Sequence, residues 1–213
     1  MRSRAKKICL SAALAALISC VCSKAQESGS TFVFEYGVEW GYTATVFRSS
    51  YLNYISPQTG SRVDGRDAKA SFKSNGLIKA YAGVELGRYW NADLFAGYCG
   101  IYEGRNMIPV SLRVSLFPKG RGHGSMKIFA EGGVNFGTTF RSKAVPYARI
   151  GFGGRIELAR RVSGDWTVSA SATLDHPAEM QDDINHRKVD ESMLLKSDVI
   201  YAGITLSMSL NFK

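Results

Sequence analysis

The sequence predicts an all-β protein: an eight-stranded antiparallel up-and-down transmembrane β-barrel that follows a cleaved signal peptide. Two observations lead to this prediction. Apolar and polar residues alternate with a period of two along most of the chain after its first 30 residues, and short and long connections alternate between those segments. A chain of 213 residues, 45% of them hydrophobic, is of a suitable size for one ordered domain.

The N-terminal segment, residues 1–25, has the layout of a secretory signal peptide. An uninterrupted run of apolar and small residues extends from Ile8 to Val21. This run is shorter than the roughly 20 residues that a membrane-spanning helix needs, so a cleaved leader is favoured over an anchor. Four basic residues precede the run: Arg2, Arg4, Lys6 and Lys7.

Two cleavage routes fit the leader. Cleavage after Ala25 places Ser23 and Ala25 at the −3 and −1 positions, and the domain would then comprise residues 26–213. The alternative is a lipobox-like sequence, residues 17–20, which would leave a lipidated Cys20. The first route is favoured because small residues occupy both of its recognition positions.

Removal of the leader changes both the charge and the cysteine content. It takes away five basic residues and no acidic ones, so the formal net charge falls from +9 to +4. Most of the excess positive charge is therefore in the leader, where it serves export, and a nucleic-acid partner is not expected for the remaining domain. Cys99 is the one cysteine in residues 26–213, which excludes an internal disulfide and a cysteine metal cluster there.

The clearest alternation is in residues 31–47. Its even positions are apolar or aromatic, whereas its odd positions are mostly Glu, Gly and Thr. In an extended strand these two sets face opposite sides, so one side suits hydrocarbon and the other suits polar neighbours.

Six further segments repeat this pattern. An eighth segment, residues 93–102, is rich in β-forming residues, but its apolar residues fall on both odd and even positions. The six segments are residues 78–87, 110–116, 127–136, 148–158, 166–174 and 200–212. Residues 48–75 and 176–198 are predicted as long outer loops, and residues 89–91, 118–125 and 160–165 as short periplasmic turns.

Ten charged residues are predicted to point into the lumen, in equal numbers of the two signs. Eight strands leave room only for side chains, so these charges are expected to pair with one another in a structural role, with a gated ion or proton path as the alternative. The acids are Glu35, Glu39, Glu85, Glu131 and Glu157, and the bases are Lys79, Arg113, Lys127, Arg149 and Arg155.

These features together resemble the small outer-membrane β-barrel proteins of the OmpA-barrel and OmpX type. The resemblance rests on the leader, the eight amphipathic strands, the glycine-rich stretch at residues 151–155 and the last strand. It implies a Gram-negative outer-membrane location and contact with lipid and lipopolysaccharide. It also implies that the barrel-assembly machinery reads Met208, Leu210 and Phe212, although here Lys213 follows the final aromatic residue.

No catalytic, cofactor-binding or metal site is predicted, and a non-enzymatic monomeric surface protein is expected. The pair His123 and Ser125 falls in a predicted periplasmic turn, out of reach of outer-leaflet lipid. His176 and His186 share the last long loop with four acidic residues, and a solvated polar loop is favoured over a cation or acid/base site. Those acids are Asp175, Glu179, Asp182 and Asp183.

Other readings remain at this point. Because histidines could serve in catalysis, a lipid-modifying enzyme is the main alternative. A surface barrel that also acts as a small pore is another. A soluble lipocalin-like carrier would need the opposite orientation, with the apolar parity turned inward. A basic first loop, residues 48–75, could attract anionic lipopolysaccharide or could simply be an exposed loop.

Overall fold

The chain was analysed as a computed structural model, which describes residues 33–102, 105–121, 124–137, 144–176, 180–181, 188–189 and 191–213. The predicted signal peptide lies outside the described residues. Within these ranges, no helix is both long enough and apolar enough to cross a membrane.

The described chain is almost entirely β-structure. Eight strands form a closed antiparallel ring in the order β1-β10-β7-β6-β5-β4-β3-β2, and β8 and β9 pair separately. The bounds are β1 Val33–Ile55, β2 Arg62–Leu86, β3 Trp90–Tyr102, β4 Arg105–Leu116, β5 Ser125–Gly137, β6 Val145–Ala159, β7 Val162–Asp175, β8 Met180–Gln181, β9 Lys188–Val189 and β10 Leu194–Phe212. A 3₁₀ turn, Glu191–Met193, precedes β10.

The barrel is apolar outside and polar inside, because the period-two pattern places alternate side chains on opposite faces of each strand. Phe34 is 74% exposed and Leu206 is 62% exposed, whereas Glu39 and Arg155 are 1% and 3% exposed. This orientation rules out the lipocalin-like alternative, which requires the apolar parity to face inward.

The predicted fold class is confirmed. Each barrel strand in the ring pairs antiparallel with two neighbours, and β1 closes the ring by pairing with β10 from Tyr36↔Phe212 to Tyr54↔Leu194. The turns after β2, β4 and β6 are at one end of the barrel, together with Val33 and Phe212. At the other end β1, β3, β5 and β7 finish and β2, β4, β6 and β10 begin, as the sequence predicts.

The predicted first loop, residues 48–75, is wrong. These residues continue β1 and β2 as a long hairpin with a tight turn at residues 56–61. We call residues 47–55, 62–72 and 194–198 the extension. It begins at a β-bulge, where the register of β1 shifts between Thr45 and Phe47 against both neighbours. The bulge disrupts the alternation at that point, which is why the sequence pattern lapses there.

Candidate functional site in the lumen

Nine of the ten predicted luminal charges lie inside the barrel, each no more than 6% exposed. They are Glu35, Glu39, Lys79, Glu85, Arg113, Lys127, Glu131, Arg149 and Arg155. The tenth prediction, Glu157, is wrong, since its side chain is exposed. Glu157 lies near the turn end of β6, where the register against β7 shifts between Glu157 and Ala159.

The central cluster consists of Glu39, Glu131, Lys79, Arg113 and Arg149. Glu131 accepts hydrogen bonds from Lys79 at 2.7 Å and from Arg113 at 3.0 and 2.7 Å. Arg113 also contacts Glu39 at 2.6 Å, and Arg149 donates to Glu39 at 3.0 Å. Because each carboxylate faces more than one cation, three positive groups surround two negative ones.

Hydroxyl groups complete the central cluster. Ser207 donates to Glu39 at 2.9 Å and accepts from Arg149 at 3.1 Å. Tyr147 and Ser111 donate to Glu131 at 2.7 and 2.8 Å. Buried charges are tolerated when such partners satisfy their remaining hydrogen-bonding capacity, so these groups make the cluster compatible with a dry interior.

The lower cluster consists of Glu35, Asp93, Lys127, Arg155 and Asp165, toward the end with the short turns. Arg155 donates to Glu35 at 2.9 and 2.8 Å and to Asp165 at 2.8 and 3.0 Å. Lys127 also contacts Asp165, at 2.5 Å. Asp93 accepts from Asn91 at 3.3 Å through Oδ2, whereas its Oδ1 has no hydrogen-bond partner among the described residues.

Asp93 and Asp165 are luminal charges that sequence reasoning missed. Asp165 shares the parity of Thr167 and Ser169, but it was assigned to the turn before β7. Asp93 lies in the segment of unclear parity, where it alternates with the outward Leu94. Extending the predicted β7 segment by one residue toward its turn would have identified Asp165, whereas Asp93 required the inward parity of its own segment to be assigned.

Aromatic rings fill the space between the charges. Arg113 lies 4.1 Å from the Phe95 ring centroid and 4.5 Å from that of Phe129, so its guanidinium is sandwiched between two rings. Lys79 lies 4.9 Å from the Phe95 ring. Cations near ring faces are attracted by the ring quadrupole, which explains why Phe95 takes an inward position at 1% exposure.

The end with the short turns is closed by side chains. Phe117 is fully buried, and Arg155 lies 5.0 Å from its ring centroid. Glu85 contacts Arg121 at 3.7 Å and Lys213 at 2.8 Å. The C-terminal lysine, which departs from the pattern of the resembled family, therefore forms an ion pair at this end of the barrel.

Above the central cluster the lumen opens into a small cavity of about 40 Å³, part of whose boundary is open. Lys79 and Arg149 contribute to its floor, and Ile101 and Tyr201 line it from above. Both belong to an apolar cluster, with Met107, Val145 and Val199, that lies toward the outer end of the barrel. Thr45 donates a hydrogen bond to the Ile101 carbonyl, which joins β1 to the end of β3 across the cavity.

The remaining candidate residues do not form a site. Met208 is 56% exposed on the outer wall, and Phe212 stacks on Tyr36 at 5.6 Å between ring centroids. His176 is exposed and contacts Asp198 at 2.8 Å, whereas His123, His186, Glu179, Asp182 and Asp183 lie outside the described residues. Among the described residues, no group of three potential metal ligands of the His, Cys, Asp and Glu types is close enough to hold an ion.

Comparison with known proteins gives structural likeness only. No family model and no curated protein matches the chain. The outer membrane protein AlkL, solved in lipid bilayers, is 11% identical, with 84% of this chain and 90% of that chain covered and a TM-score of 0.41. The Salmonella injectisome secretin InvG is 8% identical, with 92% of this chain and 64% of the InvG chain covered and a TM-score of 0.22.

The architecture follows from the barrel's own surfaces. In hydrocarbon every backbone N–H and C=O must be paired within the protein, and a closed ring leaves no edge within the wall. Here the ring is closed, its wall is apolar and its charges face the lumen. This is the architecture of a small outer-membrane β-barrel.

Proposed function

We propose that the chain is a non-enzymatic surface and structural protein of a Gram-negative outer membrane, exported by its N-terminal leader. The observation that supports this most is the lumen itself. Ion pairs link β6 to β1 and β5 to β2 across the interior, and Phe117 fills the end with the short turns. Such a barrel is stable in the membrane and exposes its outer end to solvent.

Membrane fractionation followed by heating in SDS tests this role. The barrel should fractionate with outer-membrane markers, and unheated protein should migrate differently from boiled protein, because a paired, closed sheet resists SDS until heated. Recovery from the soluble fraction, or a gel mobility independent of heating, would contradict the proposal.

The upper cavity raises the question of whether the barrel is instead a small pore. The cavity reaches down to the central cluster, below which the lower cluster and Phe117 fill the lumen. In planar bilayers we expect no steady conductance from the purified protein. Steady single-channel steps would instead support an open path.

The extension is the part of the protein best placed to meet a partner. Arg62, Arg66 and Lys69 are exposed there, all on β2, with Arg62 and Arg66 on one face of the strand and Lys69 on the other, where it pairs with Asp67 at 2.9 Å. Because guanidinium and ammonium groups bind phosphate, we propose that this surface contacts lipopolysaccharide. Replacing the three with Gln should weaken binding to lipopolysaccharide micelles, whereas an unchanged affinity would contradict this contact.

Export and assembly form a further part of the proposal. We propose that the barrel-assembly machinery recognises Met208, Leu210 and Phe212, and that the mature barrel is a monomer without a cofactor. Phe212→Ala should reduce the amount of heat-modifiable barrel in the membrane relative to Phe72→Ala, in which an exposed phenylalanine of the extension is lost. Equal amounts of the two variants would argue against this recognition.

We also propose that the histidines have no role in lipid modification. The described one, His176, is engaged with the Ser197 carbonyl at 3.1 Å and with Asp198. Expression of the protein should leave the lipid A mass spectrum unchanged. A new lipid A species that disappears when His176 and His186 are replaced would establish the enzyme alternative.

A further inference from the structure

The two charged clusters are each unbalanced, and in opposite directions. The central cluster has three cations against the carboxylates of Glu39 and Glu131. The lower cluster has three carboxylates against Lys127 and Arg155, with Asp93 as the acid that has no ion pair among the described residues. Counted over its own ion pairs, the central cluster therefore has an excess of one positive charge, and Asp93 lies opposite Arg113 in the register of β3 and β4, in the lower pocket and not in the upper cavity.

The excess positive charge faces the upper cavity. Lys79 and Arg149 line the cavity and have side chains only 2% and 4% exposed. The Lys79 ammonium has three N–H donors, one of which is directed to Glu131. Asp93 is not among the residues that line this cavity and lies on the lower side of Phe95 along β3.

The rest of the cavity wall contains neutral donors and no carboxylate. Its polar lining consists of hydroxyl groups and one amide, contributed by Thr43, Thr45, Asn135, Tyr147, Ser171, Thr173, Tyr201 and Thr205. Thr45, Ser171 and Tyr147 already donate to the carbonyls of Ile101 and Gly203 and to Glu131, which leaves Asn135, Thr173 and one hydroxyl of the Thr43–Thr205 pair to donate to an anion. Apolar side chains beside the cavity lower the local dielectric constant and strengthen the attraction to the floor.

We propose that the upper cavity is a binding site for a small monovalent anion, of halide or short-carboxylate size, held over Lys79 and Arg149. The anion completes the charge balance of the central cluster, whose two carboxylates leave one positive charge uncompensated. Because the lumen beneath is filled, the site is a closed-ended chamber that the anion enters and leaves from the outer end.

Cys99 provides a built-in probe, because this partly exposed thiol lines the same cavity and is the one cysteine among the described residues. Iodoacetate and iodoacetamide attack the same thiolate and differ in charge, so the ratio of their rates cancels the ionisation of the thiol. One net positive charge several ångströms away should raise this ratio roughly tenfold over that of the chain unfolded in urea, which is uncharged.

The full-length barrel in detergent micelles is the sample, and mass spectrometry of the Cys99 peptide is the measurement. Lys79→Gln removes the excess charge and should bring the ratio down to that of the unfolded chain. Lys127→Gln is the matched control, since it removes an equally buried lysine from the lower cluster and should leave the ratio high. If Lys79→Gln does not fold, Thr43→Asp cancels the excess without removing an ion pair and should have the same effect.

Bromide distinguishes binding from diffuse attraction. Sodium bromide should slow iodoacetate at Cys99 in a saturable way, whereas sodium gluconate at the same ionic strength, with an anion too large for the cavity, should not. Equal effects of the two salts, a wild-type ratio equal to that of the unfolded chain, or failure of both reagents to reach Cys99 would overturn the proposal. None of these outcomes depends on whether the protein conducts ions or binds lipopolysaccharide.

Discussion

Arg155 donates two hydrogen bonds to the carboxylate of Glu35, at 2.9 and 2.8 Å, and so joins β6 to β1 through the interior of the barrel. The two strands are not neighbours, because β7 and β10 lie between them in the ring. The contact is therefore a cross-brace. It holds the cross-section of the barrel in a way that backbone pairing between adjacent strands cannot.

Loss of this brace should destabilise the barrel strongly. Arg155→Met removes the cation shared by Glu35 and Asp165, and leaving buried carboxylates without compensation costs about 3–5 kcal/mol. Urea unfolding in micelles measures the effect. Arg160→Met is the control, because Arg160 is exposed at the adjacent turn and should change stability by less than about 0.5 kcal/mol. Similar losses for both variants would show that the brace is not the source of stability.

Glu131 and Glu157 provide a matched pair for testing which glutamates face the lumen. Glu131→Gln removes the charge that Lys79 and Arg113 share, so the free energy of unfolding should fall by about 3–5 kcal/mol. The same substitution at the exposed Glu157 should be nearly neutral. If Glu157→Gln were the more damaging change, the orientation of β6 near its turn would have to be revised.

The outer wall can be tested for contact with lipid. Ile204 is 51% exposed in the middle of the β10 segment that pairs with β7, and an arginine near the midplane of a bilayer costs about 2–4 kcal/mol. Ile204→Arg should therefore lower stability in liposomes by that amount. Leu195→Arg, at a 55% exposed position in the extension, should have little effect. Equal tolerance at both positions would argue that the wall faces water.

Close approach of strands can be tested at two glycines. A Cβ at Gly83 would lie 2.1 Å from Asp93 Oδ1 and 2.4 Å from the Ala92 carbonyl oxygen, whereas a Cβ at Gly132 would meet no atom within 4 Å. Overpacking typically costs about 1–3 kcal/mol, so Gly83→Ala should destabilise the barrel by about that amount. Gly132→Ala should leave the urea midpoint unchanged or slightly raised. A reversed order would contradict the packing of β2 against β3.

In the extension, an ion pair lowers the pKa of one carboxyl group. Lys196 donates to Asp198 at 2.9 Å, and this hydrogen bond lowers the pKa of the Asp198 carboxyl, with His176 adding to the effect. A carboxyl with a lowered pKa stabilises the folded state above its ordinary pKa, and this contribution is lost as the pH falls through the lowered value. The Lys196 side chain is 57% exposed and that of Asp198 is 33% exposed, so solvent screens the interaction.

The alternation of side chains was sufficient to predict the barrel, its eight strands, the end that carries the short turns and nine of the buried charges. It could do so because a strand has a fixed period of two, which ties each side chain to one face. Two features broke this rule, the bulge after Thr45 and the exposed Glu157, and the inward aromatic Phe95 broke the expectation that apolar side chains face outward. Each depends on a neighbour in space, so no single strand could reveal it.

The sequence by itself determined which residues face hydrocarbon and which face the lumen, because that choice follows from local periodicity. Only the tertiary structure decided which charges meet. The ring brings β1, β5 and β6 together around Glu39 and Glu131, and their pairing depends on strand order and register in the closed sheet. The excess positive charge beneath the upper cavity is likewise a property of the assembled ring, since it arises from the partners that closure places within reach.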